Sequence, residues 1–396
     1  MSEKQIYLDN TATNPVAAEV LSSMLPYFAE AYGNPQSMHD WGDGPREGVD
    51  AARQQVAALI GAQSNEIIFT SSGTESNNFA IKGLAMAQQA KGKHIVVSAI
   101  EHFSVLHSVK TLQKLGFEAT EVPVNSSGMV SPINVKEAIR PDTVLVSVML
   151  ANGEVGTIQP IRDIAAIVKE AGIIMHTDAV AAAGNIAINV VDLGVEAMSI
   201  AANQFYGPKG AAALYLKKGT RIIPLLDGGI QEGGRRAGTE NVPAIVGMGV
   251  AAELAEADID GRAKRLSALR DRLIKGLASK IDHMILTGDA SDRLPHHASF
   301  CVEFIEGESM LMLLSSKGVA ASSGSACTSK ALKASHVLTA MGLPPEIAAG
   351  SLVFTIGRDV TGDDIDYVID TLPPIVERLR QMSPLYAKYL KDKGGK

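Results

Sequence analysis

The chain has 396 residues, 46% of them apolar and 20% charged, and a formal net charge of −7. That length exceeds the size at which a single core usually stops growing, so two domains are expected, and the negative balance gives attraction to nucleic acid or an anionic lipid surface little support. Cys301 and Cys327 are the only cysteines, MSEKQIYLDN lacks the basic start and apolar core of a signal peptide, and no apolar run reaches the ~20 residues of a membrane helix. A reducing cytoplasm is the expected location, with no membrane and no nucleic acid partner.

In chain order, Gln5 to Asp9 reads as extended, and Pro15 precedes a helix from about Ala17 to Ala31. Gly33-Asn34-Pro35 breaks that pattern, and Pro45 to Ile60 resumes it with an Ala/Val/Leu stripe. A strand at Glu66 to Thr70 feeds Ser71-Ser72-Gly73-Thr74-Glu75 and a helix from Ser76 to Gln89. Strands at Lys93–Ser98, Glu118–Val122 and Thr143–Met149 then alternate with a helix ending at Leu115 and helices at Ile133–Ala138 and Pro160–Ala171. Such alternation predicts an α/β fold with a mostly parallel sheet covered on both faces.

Two further short strands carry polar residues at their ends. Ile173 to Met175 runs into His176-Thr177-Asp178, and Ala197 to Ala201 runs into Asn203-Gln204 and a Tyr-Gly-Pro-Lys-Gly turn. In open α/β sheets ligands bind at such strand ends, which makes this stretch the candidate site. Beyond it, Gly228 to Gly238 reads as a shaped loop, followed by helices at Val242–Ala255 and Arg262–Ile281. Strands at Met284–Leu286 and Ala298–Phe304, helices at Ser309–Lys317, Lys333–Met341 and Asp363–Gln381, and a Ser/Gly-rich loop at Val319–Lys330 complete the pattern. The expected division is a large domain over 16–255 and a smaller α+β domain made of 1–15 with 256–396.

These features resemble the class V aminotransferase group of fold-type I pyridoxal-phosphate transferases, and within it the NifS/IscS-type cysteine desulfurases. The resemblance rests on Tyr7-Leu8-Asp9-Asn10, Gly33-Asn34-Pro35, Phe69 to Asn78, Glu101-His102, His176-Thr177-Asp178, Tyr206 to Gly210, Arg236 to Pro243, and Ser322 to Cys327 with Gly357-Arg358. It implies a homodimer that removes sulfur from cysteine to leave alanine. By the same resemblance, Gly73 and Thr74 cradle the cofactor phosphate at a helix start. His102 stacks on the pyridine ring, and Asp178 pairs with the ring nitrogen. Thr239 would reach the partner subunit's phosphate, and Cys327 would be the nucleophile that carries sulfur as a persulfide.

The departures from that pattern are as informative. Gln204 stands where the family has the Schiff-base lysine, and a carboxamide can neither form that bond nor act as the base. Asn203 replaces histidine, Ala201 serine, Ala181 glutamine and Gly153 asparagine, and Val353 stands where the resemblance puts the arginine that clamps the substrate carboxylate. Ile230 and Gly233 replace a glycine and an arginine, while Lys209, the nearest lysine, is one the family also carries in a structural role. The pocket formed by Gly73, Thr74, His102, Asp178, Asn203, Gln204 and Thr239 therefore reads as vestigial or altered, with no tightly bound cofactor expected.

Simpler readings stand beside these: His102 as a packed histidine, Asp178 as a satisfied strand-end carboxylate, Gly73-Thr74 as a helix cap. Cys301 lies in an apolar run and reads as a buried small hydrophobe, and His296 and His297 beside Pro295 read as surface residues. Cys327 sits among small residues and reads as an exposed thiol, able to accept sulfane sulfur or to serve as one ligand of an iron–sulfur cluster shared with a scaffold partner. The favoured expectation is a desulfurase-like protein without ordinary turnover, acting in sulfur handling or cluster assembly with a scaffold or acceptor protein. The alternatives are altered chemistry on noncovalent pyridoxal phosphate or another small anion such as phosphate, and an inactive partner subunit of an active desulfurase.

Overall fold

The apolar runs of the first half of the chain pair side by side, as their alternation with helices requires. In the computed structural model, which describes residues 4–324 and 334–394, the chain begins with β1 (Ile6–Tyr7), α1 (Ala18–Met24), α2 (Pro26–Ala29) and α3 (Asp43–Leu59). There follow β2 (Ile67–Thr70), α4 (Gly73–Gln88), β3 (His94–Ser98), α5 (Phe103–Lys114), β4 (Glu118–Val122), α6 (Pro132–Ala138), β5 (Thr143–Ser147) and α7 (Ile161–Glu170). Then come β6 (Ile174–Asp178), α8 (Val190–Leu193), β7 (Ala197–Ala201) and β8 (Ala212–Leu216).

Seven of these strands form one sheet in the order β2-β8-β7-β6-β5-β3-β4. Strands β3 to β7 run parallel to their neighbours, and β8 is antiparallel to both β7 and β2. Successive side chains leave on opposite faces. Val96, Val146 and Met198 enter one apolar cluster, whereas Ile95, Val97, Leu145 and Ala197 enter another. Covering both faces with helices explains why β3, β5, β7 and β8 are buried at every residue and read as unbroken apolar runs. In α7 the buried positions Ile161, Ile164, Ala165 and Val168 follow the helical repeat.

The rest of the chain supplies α9 (Gln231–Gly234), α10 (Val242–Ala278), β9 (Met284–Leu286), β10 (His297–Val302), α11 (Gly307–Ser315) and β11 (Val319–Ala320). It ends with α12 (His336–Ala340), α13 (Pro345–Ala348), β12 (Ser351–Thr355), α14 (Gly362–Met382) and α15 (Pro384–Gly394). A three-stranded sheet in the order β12-β10-β9 is antiparallel throughout. The N-terminal strand β1 pairs in parallel with β11, and Asn10 Nδ2 donates to the Thr355 carbonyl at 2.6 Å, tying the chain start to this layer.

Several elements differ from the sequence expectation. The helices expected at Val242–Ala255 and Arg262–Ile281 are one continuous 37-residue helix, α10, capped by the Asn241 side chain on the Ala244 N–H. Charged Glu256 to Asp260 does not break it, because α10 packs on the large-sheet core through residues up to Ala255 and on the second core through Leu266, Leu273 and Leu277. The helix expected over Ala17–Ala31 is two, since Pro26 starts a new turn. Within the glycine-rich loop, Glu232 and Gly233 adopt positive φ of 49° and 66°, and Arg53 holds the Glu232 carboxylate with two contacts of 2.7 Å. His296 and His297 are buried rather than superficial: β10 pairs with β12, and His297 Nε2 lies 3.0 Å from the Gly153 carbonyl. Strands β8 and β12 and helices α8, α9, α13 and α15 carry no expectation from the sequence. Among the described residues no helix is long and apolar enough to cross a membrane.

Candidate functional site

The carboxyl ends of β2, β3, β5, β6 and β7 open on one cleft of about 570 Å³. From β2 the chain turns through Ser72, whose side chain accepts the Glu75 N–H and starts α4, so Gly73 and Thr74 face the cleft. The first N–H groups of a helix have no partner within it. From β3 the chain delivers Glu101 and His102, and His102 caps α5 by accepting the Ser104 N–H on Nδ1 at 3.1 Å.

Asp178 closes β6. Its Oδ2 accepts from Asn77 Nδ2 at 2.6 Å and its Oδ1 from the Val180 N–H at 2.9 Å. Burial raises its pKa above the ordinary carboxylate value, opposed by the Val180 N–H, by His102 and by the Asn77 amide. After β7, Asn203 and Gln204 lie in a 3-10 turn, Ala202–Phe205. Gln204 is 6% exposed, and its Nε2 donates to the Thr11 carbonyl at 2.7 Å. Asn14 Nδ2 donates in turn to the carbonyls of Asn203 and Gln204.

Gly73, Thr74, His102, Asp178, Asn203 and Gln204 thus share one cleft. Thr239 is exposed and stands apart from it. Cys327 lies outside the described residues. Of the positions that depart from the family pattern, Gly153, Ala181, Ala201, Asn203, Gln204 and Val353 line this same cleft, whereas Ile230 and Gly233 border a separate depression beside Arg53 and Arg235. Lys209 is exposed on the turn after Pro208 and does not line the cleft. Cys301 is fully buried, and burial, reinforced by the Glu154 carboxylate, pushes its thiol up to about 12.

Sequence reasoning gave two carboxyl groups no role, although Glu101 stands in the Glu101-His102 motif. Glu101 is fully buried on the cleft wall, where Oε1 accepts from Ser98 Oγ at 2.6 Å and from the Met149 N–H at 2.7 Å. Burial pushes it up to about 8 against those two bonds. Glu154, in the turn after β5, is likewise pushed up to about 8 by burial, opposed by Ser335. Asn152-Gly153-Glu154, a polar tripeptide just beyond an apolar strand, carried the same strand-end signal that singled out Asp178.

A mostly parallel sheet with its cleft at the strand ends, joined to a small antiparallel layer, is the architecture of a fold-type I transferase. The aminotransferase class-V family model matches residues 6–368, and the chain belongs to that family and, within it, to the NifS/IscS group of cysteine desulfurases. It is 52% identical over 385 residues to the cysteine desulfurase IscS of Methanosarcina thermophila, covering 97% of this chain and 95% of that one. A solved NifS-like protein superposes with a TM-score of 0.89 at 36% identity, covering 95% of this chain and all of the other. SspA, solved in complex with cysteine, superposes with a TM-score of 0.80 at 33% identity, covering 89% of this chain and 99% of that one.

The fold family implies pyridoxal phosphate, and the side chains present answer its parts unequally. The start of α4 offers N–H donors to a phosphate, and Asp178 and His102 suit a ring. The tether does not fit: among the described residues no lysine lines the cleft, and the Gln204 amide is held by Thr11. A covalently held ring therefore does not match this donor set.

Proposed function

We propose that this chain is a divergent NifS/IscS-family protein that has lost ordinary pyridoxal-phosphate-dependent desulfurase turnover and acts in sulfur handling or iron–sulfur cluster assembly, through contacts with a scaffold or acceptor protein and through Cys327. The observation that carries the reading is Gln204, a carboxamide hydrogen-bonded to Thr11 in a cleft wall that holds no amine among the described residues. Without an amine, the described lining of the cleft offers no group for the covalent step. A sequence 52% identical to the IscS relative over 97% of this chain supports a retained body through which a scaffold or acceptor would dock. Cys327, in a segment of small side chains, is the group through which sulfur or a cluster would pass.

The test has two arms. Alanine release from free cysteine, measured with purified chain and added pyridoxal phosphate, is expected to stay at background; catalytic release would overturn the loss of turnover. Cys327→Ser is expected to abolish cluster or sulfur transfer to a cognate scaffold, and unchanged transfer would remove Cys327 from the reading. A second reading, noncovalent pyridoxal phosphate serving altered chemistry, is favoured by Asp178 beside Asn77 and His102, and equilibrium dialysis of the cofactor against the chain tests it directly.

A further inference from the structure

We propose that the cleft selects a small organic cation, a primary ammonium on a short apolar chain, over an anion or a zwitterion. The inference builds on the reading that no covalent tether operates here, and it names the ligand class that the remodelled cleft would take.

Charge comes first. The wall carries the carboxyl groups of Asp9, Glu101, Glu154 and Asp178 and, among the described residues, no lysine or arginine. Burial raises all four above the ordinary carboxylate range, and a bound cation is the partner that favours their ionised form, so the wall becomes one sign of charge as such a ligand enters.

Hydrogen-bonding capacity points the same way. Thr11 Oγ1, Asn77 Oδ1, Glu101 Oε2 and Glu154 Oε1 are buried without a partner, and all four belong to this wall. Asn77 is 1% exposed and its orientation is fixed, because its amide nitrogen already donates to Asp178 Oδ2 and to Ser104 Oγ. Its oxygen can only accept. A fully buried acceptor without a donor is costly, and a ligand that brings N–H groups relieves it. Burial pushes Glu101 and Glu154 up to about 8, a shift that a neighbouring cation reverses.

Other ligand classes meet obstacles in the same wall. An anion at the start of α4 would find N–H donors there but no lysine or arginine among the described lining residues, and Glu75, just outside the cleft, already takes the Ser71 N–H and Arg236, each at 2.9 Å. Among the described residues no three His, Cys, Asp or Glu side chains converge as a metal ion needs. Ile100, Phe103, Met149, Val337 and Val353 give the cleft an apolar side that fits a short hydrocarbon chain.

The experiment is isothermal titration of the full chain with propylamine, β-alanine, propionate and inorganic phosphate, without added cofactor. Propylamine is expected to bind at least about tenfold more tightly than propionate or phosphate, with β-alanine between. Glu101→Gln, or Glu154→Gln where circular dichroism shows the first variant misfolded, is expected to weaken propylamine about tenfold and leave propionate unchanged. Propionate or phosphate binding as tightly as propylamine, or no heat with propylamine, overturns the inference. Because these heats need neither cofactor nor turnover, the two readings fail separately: an anion preference with alanine release at background overturns the ligand class alone, and catalytic alanine release with a retained preference for propylamine overturns the proposed function alone.

Discussion

The side chain of Gln204 donates to the backbone carbonyl of Thr11 at 2.7 Å, joining the turn after β7 to the N-terminal segment across the floor of the cleft. That bond makes Gln204 a structural tie as well as a chemical substitution. Gln204→Ala removes the donor and a nearly buried side chain while leaving the cleft open to water, so a loss of about 1 kcal/mol in urea unfolding is expected. A variant as stable as the parent would mean that the tie holds nothing.

The buried carboxyl groups set an alkaline limit to stability. Glu101 and Glu154 are raised from an ordinary 4.5 to about 8, so the folded chain binds more protons than the unfolded one between those values. Their contribution is fully present below pH 4.5 and is lost as pH rises through about 8. The buried His176, lowered from 6.5 to about 3, and His296, lowered to about 4, behave in the opposite sense: their contribution is present above pH 6.5 and is lost on acidification. Between pH 6.5 and 8 the carboxyl groups alone among these four supply a slope. Calorimetry should find the melting temperature falling over that interval, and Glu101→Gln or Glu154→Gln should each flatten the fall. A parent protein whose stability is flat from pH 6.5 to 8.5 would contradict the assignment.

Glu232 is the keystone of the glycine-rich loop. Its carboxylate accepts from the two terminal guanidinium nitrogens of Arg53 at 2.7 Å and from the Phe69 N–H of β2 at 2.9 Å, with the glutamate side chain only 3% exposed. Glu232→Ala leaves a largely buried cation and an unpaired strand N–H, and a loss of roughly 3–5 kcal/mol is expected. Denaturant titration checks it, and Glu232→Gln, which keeps the hydrogen-bonding shape, should lose less.

What the sequence revealed and what it hid divide along physical lines. The parallel strands were legible because burial on both faces leaves mostly apolar, β-branched stretches such as Thr143 to Ser147, with Val144, Leu145 and Val146 at its centre. The gathering of Asp178, His102, Thr74 and Gln204 was legible because each follows a strand end, where this topology builds its crevice. The continuity of α10 was not, since Glu256 to Asp260 reads as a solvated break until two separate cores are known to grip one helix. Nor was the burial of His296 and His297: Pro295 suggests a turn, and only pairing of β10 with β12 carries the residues after it inward. Glu101 and Glu154 were given no role because a carboxylate is ordinarily a surface residue: their place after a strand end was legible, but their enclosure was not.

Cys301 offers the last check. In β10 it pairs with Ser351 of β12 on one side and Ile285 of β9 on the other, its side chain is fully enclosed, and burial raises its thiol to about 12. The thiolate is the reactive form, so at neutral pH this cysteine is both unionised and unreachable. Iodoacetamide applied to the folded chain should leave Cys301 unmodified, and denaturation should expose it, as read by peptide mass spectrometry. Cys301→Ala should preserve any transfer activity while lowering stability by no more than about 1 kcal/mol, because it removes one small apolar group. Loss of transfer in that variant at unchanged stability would assign Cys301 a chemical part that its enclosure argues against.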